Sequence, residues 1–406
     1  MYIEKADRGL CAPKGFRASG VHVGFRRNKR KKDLALIVSD AVCSAAAVYT
    51  RNKVKSAPIR VNVEHLRDGR AAAIVCNSGN ANTCAPNGME IANGACRLTA
   101  EALGIDESDV IVCSTGVIGE PMYLEPFETG IPKAVRKLSY DGSRDAANAI
   151  TTTDTAIKET AVSFVIGNKE CLMGGIAKGS GMINPNMATM LCFICTDVAI
   201  APEMLQKALD SVVLDTFNQI SIDGDTSTND TVAVLANGMA GNSEIRGEGK
   251  DFDRFCQALH AVGSHLSREI ARDGEGASKL LECIVSGAPD RDIARKVSKS
   301  VIQSELVKAA MFGEDANWGR VLCAIGYSDA DFSVDDVDIV LSSVRGNIEV
   351  CRHSLACDFD EGLAKDILSE SEIRLLIGLN QGDEDAIAYG CDLTYDYVRI
   401  NGRYRT

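Results

Sequence analysis

Histidine is scarce in this 406-residue chain, which has five, and the spacing that would make a metal centre of them is missing. His260 and His265 stand five apart, whereas a helix stacks two ligands on one face at a spacing of four. Metal chemistry through histidine is not expected. Positive charge is lacking overall, since the formal net charge is −12. Nucleic acids and anionic membranes need a broad positive face, so neither is expected as a partner. No uninterrupted apolar run approaches membrane-spanning length, and the opening MYIEKADRGL has no apolar core of the secretory kind. The expectation is a cytoplasmic protein. Internal repeats, low-complexity tracts and long flexible linkers are absent too, so a two-domain boundary is hard to place.

What is present is ordinary globular material: 45% hydrophobic and 25% charged residues, enough for two domains or one large layered unit. One run is strongly basic, RRNKRKK from Arg26 to Lys32, and it lies between GVHVGF and DLALIVSD. The simplest structure is a hairpin whose turn carries the charges into water. The 15 cysteines are scattered through apolar runs such as AVCSAAA, AIVCNSG and RVLCAIG. That distribution fits buried free thiols in a reducing compartment better than disulfides. Cys192 and Cys195 sit in LCFIC, which reads as a strand and points them to opposite faces, so no zinc or redox pair is expected.

Strand and helix signals come in blocks. MEIANGACRLTAEALG repeats Ile91, Ala95, Leu98 and Ala102 at helical spacing and stops at Gly104. APEMLQKALDSVVLDTF starts a helix at Pro202, and DFDRFCQALHAVGSHLSREIARDG lines up Phe255, Leu259, Val262, Leu266 and Ile270. A further helix is expected from about Arg291 to Ala310. The last portion reads as strands in DIVLSSVRGNIEV, SEIRLLIGLNQG and AIAYGCDLTYDYVRI, the last of these running toward the C-terminus. Blocks of this kind favour α+β layers with mixed or antiparallel sheets over a doubly wound parallel fold.

Two apparent ligand loops fail on spacing. DGDTSTNDTVAV alternates Asp223, Asp225 and Ser227 as a calcium loop does, but the turn glycine is Thr228 and the closing acid is Val234. A capped turn into a strand is the better account. GEGASK, Gly274 to Lys279, has the glycines and lysine of a phosphate loop in the wrong order, and it follows a helix.

KGSGMINPNMATML, Lys178 to Leu191, carries the most chemistry. Its Gly, Asn and Pro residues form a constrained loop that ends abruptly at Thr189 and an apolar strand. One reading is a plain change from loop to sheet. The other is self-cleavage before Thr189. A threonine hydroxyl needs a base, and a freed α-amine on Thr189 itself, with a reference pKa of about 7.7 to 8.0, would supply one. Both readings fit the pattern taken alone.

The same segment closely resembles the self-cleavage segment of the ornithine acetyltransferases of arginine biosynthesis. The resemblance runs from APKGFRASGVHVG to YVRINGRYRT and includes CNSGNANTC, STGVIGEPM, TTDTAIKE, DGDTSTNDTV and GEGASK in order. It implies an N-terminal-nucleophile-like layered sandwich of the ornithine acetyltransferase/DmpA type. It implies cleavage between Ala188 and Thr189 into residues 1–188 and 189–406, with Thr189 as nucleophile and both chains contributing to one active site. Thr115 and Gly116 match the oxyanion pair. Thr152, Lys178, Thr189, Glu275, Asn401 and Thr406 match the substrate positions, with Thr151 and Thr153 flanking the choice of Thr152. The implied reaction is ping-pong transfer of acetyl from N2-acetylornithine to glutamate without a cofactor, acetyl-CoA being a further possible donor. The implied assembly is a heterotetramer of two copies of each chain. An amidohydrolase or aminopeptidase of the related self-processing fold, passing the acyl group to water, is the rival reading.

Overall fold

The computed structural model describes residues 3–184 and 190–402. Ala188, Thr189 and Thr406 lie outside the described residues. The chain forms two compact units, each assembled from separate stretches. The first takes the chain up to Gly179, the stretch that ends at Leu214, and Thr226–Leu266. The second takes Ser180–Asn184, Asp215–Asp225 and the chain from Ser267 onward.

A nine-stranded mixed sheet organises the first unit. Its strands lie in the order Glu4–Lys5, Lys158–Ile166, Lys169–Lys178, Leu191–Thr196, Thr231–Ala236, Leu34–Tyr49, Arg70–Asn80 and Val110–Val117, while Phe16–Val21 also pairs with Leu34–Tyr49. Two neighbouring pairs are parallel, Leu191–Thr196 with Thr231–Ala236 and Arg70–Asn80 with Val110–Val117. The others are antiparallel. Both faces are buried, and the period of two is visible in the packing. Ala35, Ile37, Ile74, Cys76, Ile111 and Cys113 enter one core, against the helix Ser143–Ile150. Leu34, Leu36, Ala73, Val75, Val110 and Val112 enter the other, against Gly88–Leu103 and Glu125–Arg136.

The second unit has a seven-stranded mixed sheet, ordered Leu355–Ala356, Gly346–Arg352, Asp338–Ser343, Glu372–Gly378, Leu280–Ala288, Glu384–Cys391 and Ile220–Ser221. Leu281, Cys283, Val285, Leu375 and Ile377 share its core with Val297 and Val301 of the helix Arg291–Gln303. Two mixed sheets with helices against them are the α+β layers the sequence implied. All 15 cysteines are free, and 11 of them are buried. No helix among the described residues is long and apolar enough to cross a membrane.

The basic hairpin forms, with Val21 paired to Leu34. The buried carboxylate of Asp33 shapes its return, accepting the N–H groups of Val23, Gly24 and Arg26 at 2.6, 3.1 and 3.0 Å. Arg27 to Lys31 are exposed as expected, but Arg26 is half-buried. Three local expectations need correction. The segment YDYVRI is not a strand but the helix Tyr395–Asn401, because Thr394 caps it by accepting from the N–H groups of Asp396 and Tyr397. The helix expected over 291–310 is two, Arg291–Gln303 and Glu305–Phe312, since the Ser304 side chain caps the second by accepting from Val307 N–H. Ala102 is exposed, and the buried stripe of Gly88–Leu103 runs instead through Ile91, Ala92, Ala95, Cys96 and Thr99.

Candidate active site

The strands Arg70–Asn80 and Val110–Val117 run parallel, so their carboxyl ends meet at one edge of the sheet. There Gly79 faces Gly116, and the register becomes irregular. Gly116 has φ of +136°, and a Cβ on it would lie 2.2 Å from the Gly79 carbonyl carbon. Only glycine fits so close a backbone approach. Thr115 is thereby carried to the sheet edge, half-buried.

Lys178 ends the strand Lys169–Lys178 and is 8% exposed. Its Nζ lies 3.4 Å from Thr115 Oγ1. Burial pushes the Lys178 pKa down, the cations of Lys158 and Arg26 push the same way, and Asp154 opposes them. Asp154 is the hub of this cluster. Its carboxylate accepts from Lys158 Nζ at 2.7 Å, from Gly179 N–H at 2.8 Å and from Thr152 N–H at 2.9 Å. Burial alone would raise the Asp154 carboxyl, but Lys178, Lys158 and the hydrogen bonds override it and hold the group well below the usual carboxylate range.

Thr115, Gly116, Thr152 and Lys178 therefore all belong to the first unit. The hydroxyl of Thr151 is used to close the helix Ser143–Ile150, donating to Asn148 C=O at 2.8 Å. Thr152 has its N–H tied to Asp154, while its hydroxyl has no internal partner among the described residues.

Glu275 and Asn401 lie in the second unit, where Asn401 Nδ2 donates to Glu275 Oε2 at 2.8 Å. Glu275 is 8% exposed and its N–H bonds Ser180 C=O at 2.7 Å. Gly276 follows with φ of +69°, and a Cβ there would stand 2.5 Å from Tyr397 N. Thr394 Oγ1 donates to Gly276 C=O at 2.6 Å, tying the helix that carries Asn401 to the loop that carries Glu275.

Sequence reasoning missed the residues that hold this machinery. Asp154 and Lys158 stand inside TTDTAIKE, and a carboxylate and an amine four apart in an otherwise small, polar stretch was the available signal. Asn229 is the second omission. Its Nδ2 donates to Ala81 C=O at 2.6 Å and to Ser114 C=O at 2.8 Å, while its Oδ1 accepts from the hydroxyls of Thr83 and Thr228. One buried amide thus joins three segments quoted above as separate motifs, CNSGNANTC, STGVIGEPM and DGDTSTNDTV. Arg26, half-buried in the basic run, is the third, its charge acting on Lys178.

A buried ammonium beside a threonine hydroxyl and an anchored carboxylate suits a small substrate whose carbonyl or carboxylate oxygen carries negative charge. That is the equipment of acyl-group transfer. The chain belongs to the ArgJ family, whose model matches residues 17–406. It is 50% identical over 405 residues to the arginine biosynthesis bifunctional protein ArgJ of Caldanaerobacter subterraneus subsp. tengcongensis, covering 100% of both chains. It is 49% identical over 400 residues to the protein of the same name from Symbiobacterium thermophilum, covering 98% of each. A crystal structure of arginine biosynthesis bifunctional protein ArgJ from Bacillus halodurans is 43% identical, with a match covering 52% of this chain and 97% of that chain and a TM-score of 0.49.

Proposed function

We propose that the chain cleaves itself between Ala188 and Thr189 and then moves the acetyl group of N2-acetylornithine to glutamate, yielding ornithine and N-acetylglutamate for arginine biosynthesis. Thr189 Oγ attacks the amide carbonyl, its own α-amine carries the proton to the leaving nitrogen, and an acetyl-enzyme ester remains. Thr115 and Gly116 donate to the oxyanion that forms. Lys178 neutralises a substrate carboxylate, with Thr152 beside it. Glu275, Asn401 and the carboxylate of Thr406 receive the ammonium end. Glutamate then takes the acetyl group in an overlapping pocket. Acetyl-CoA is a second donor in this proposal, because relatives of about half identity are named bifunctional. No resident cofactor is needed. The reaction is assigned to the cytoplasm and to a heterotetramer of two copies of each fragment.

The observation that carries the reading is the cluster of buried Lys178 and Asp154 with half-buried Thr115, at the start of the very segment that resembles a self-cleavage loop. Incubation with N2-acetylornithine, with and without glutamate, tests it. Acetylglutamate that depends on glutamate supports transfer, and acetate released equally without glutamate supports the amidohydrolase. Acetylglutamate made from acetyl-CoA and glutamate supports the second donor.

A further inference from the structure

The five residues Ser180–Asn184 are held along their length within the second unit. Ser180 C=O accepts from Glu275 N–H at 2.7 Å. A Cβ on Gly181 would lie 2.4 Å from the Glu275 carboxyl, which would have to move to admit one. The N–H groups of Met182 and Ile183 both donate to the Asp223 carboxylate, at 2.6 and 2.8 Å. Ile183 C=O accepts from Ile222 N–H at 2.6 Å, and Asn184 bonds Gly224 C=O at 3.0 Å and Gln303 Nε2 at 2.5 Å. Met182 has φ of +56°, a left-handed conformation that a residue with a side chain adopts only when its surroundings enforce it. The residue is 43% exposed, so packing is a weak enforcer. The pair of hydrogen bonds to Asp223 is the strong one.

We propose that Asp223 is a positioning residue for self-cleavage, fixing the arm that feeds the Ala188–Thr189 bond. The inference rests on the self-processing reading above and adds a role to a carboxylate which, by its spacing, is no calcium ligand. In the cleavage step the Ala188 C–N bond breaks as a C–O bond to Thr189 Oγ forms, and the hydroxyl proton passes to the released nitrogen. Water then opens the ester, its OH going to the Ala188 carbonyl carbon and its hydrogen to Oγ. Attack needs the carbonyl and the hydroxyl held close and aligned, and an arm pinned at both N–H groups just upstream removes the freedom that would let them drift. Asp223→Asn keeps the size of the side chain but leaves an acceptor for only one of the two N–H groups and turns a donor toward the other.

The experiment follows precursor cleavage by denaturing gel, with mass spectrometry of the fragment that begins at Thr189. Asp223→Asn slows its appearance by about tenfold or more, the scale of loss that small misplacement of reacting groups brings. Asp225→Asn, altering an exposed carboxylate two residues on, cleaves at the wild-type rate. Glycine adopts a positive φ unaided, so Asp223→Asn/Met182→Gly regains about threefold over Asp223→Asn alone, a rescue that general loss of stability would not produce. Wild-type cleavage in Asp223→Asn, or equal rates in the single and double variants, overturns the assignment. A wild-type chain with no fragment beginning at Thr189 instead overturns the self-processing reading, and this inference with it.

Discussion

Burial makes a charge on Lys178 costly, and Asp154 is the group that offsets the cost. The same carboxylate anchors Thr152 and Gly179, so one acid sets the geometry of the segment on each side of the cation. Thr115 is the residue whose loss reads out most directly. Thr115→Val removes the hydroxyl next to Lys178 while keeping the shape, and kcat is expected to fall roughly 10²-fold with little change in KM, the pattern of a lost transition-state donor. Steady-state kinetics at saturating glutamate measure it. Asp154 governs the response to acid. Its folded pKa lies below the unfolded value of about 3.9, so its stabilisation is complete above that value and is lost as pH falls through the lower, folded one. Urea unfolding of wild type and Asp154→Asn should therefore differ most near neutral pH, and the gap should narrow below pH of about 4.

The helix Tyr395–Asn401 depends on its first residues more than on its packing, since none of its side chains is buried. Thr394 caps it and also reaches Gly276, next to Glu275. Thr394→Ala is expected to cost about 1 kcal/mol of stability and to raise KM for acetylornithine, because Asn401 and Glu275 lose their common anchor. Denaturant midpoints and initial rates test the two halves. This helix also shows where the sequence was hard to read. Tyr, Val and Ile in YDYVRI alternate like a strand, and only the cap at Thr394 and the ion pair between Asp396 and Arg399, three apart, argue otherwise. Where periodicity and end signals agreed, as in Lys250–Arg272 with its stripe from Phe255 to Ile270, the element was legible. The resemblance supplied Thr115, Lys178 and Glu275, but Asp154 reaches Gly179 as well as its neighbours, and Asn229 acts through distant partners. Asn229 meets Ala81 and Ser114 only after the sheet has formed, and no local spacing encodes such a meeting.

At the scale of the whole molecule, domain boundaries were unreadable because neither unit is a continuous stretch of chain. Linker signals mark passages between sequential domains, and here the chain leaves the first unit at Gly179, at Leu214 and at Leu266, returning to it in between. The first sheet also constrains what the proposed cleavage would do. Residues 189–406 contribute Leu191–Thr196 and Thr231–Ala236, which lie between Lys169–Lys178 and Leu34–Tyr49 of residues 1–188. Leu191–Thr196 is hydrogen-bonded to Lys169–Lys178 from Leu191 opposite Lys178 to Thr196 opposite Met173, and Thr231–Ala236 pairs residue by residue with Ser44 to Tyr49. All six side chains of each inserted strand are buried. Separating the fragments would expose that apolar surface and leave rows of backbone groups unpaired on both sides, far more than one broken peptide bond relieves. Cleaved protein is therefore expected to elute from a sizing column as one species and to show two bands only on a denaturing gel. Its urea unfolding should proceed with loss of both fragments in one transition, and fragments that part under native conditions would contradict the shared sheet.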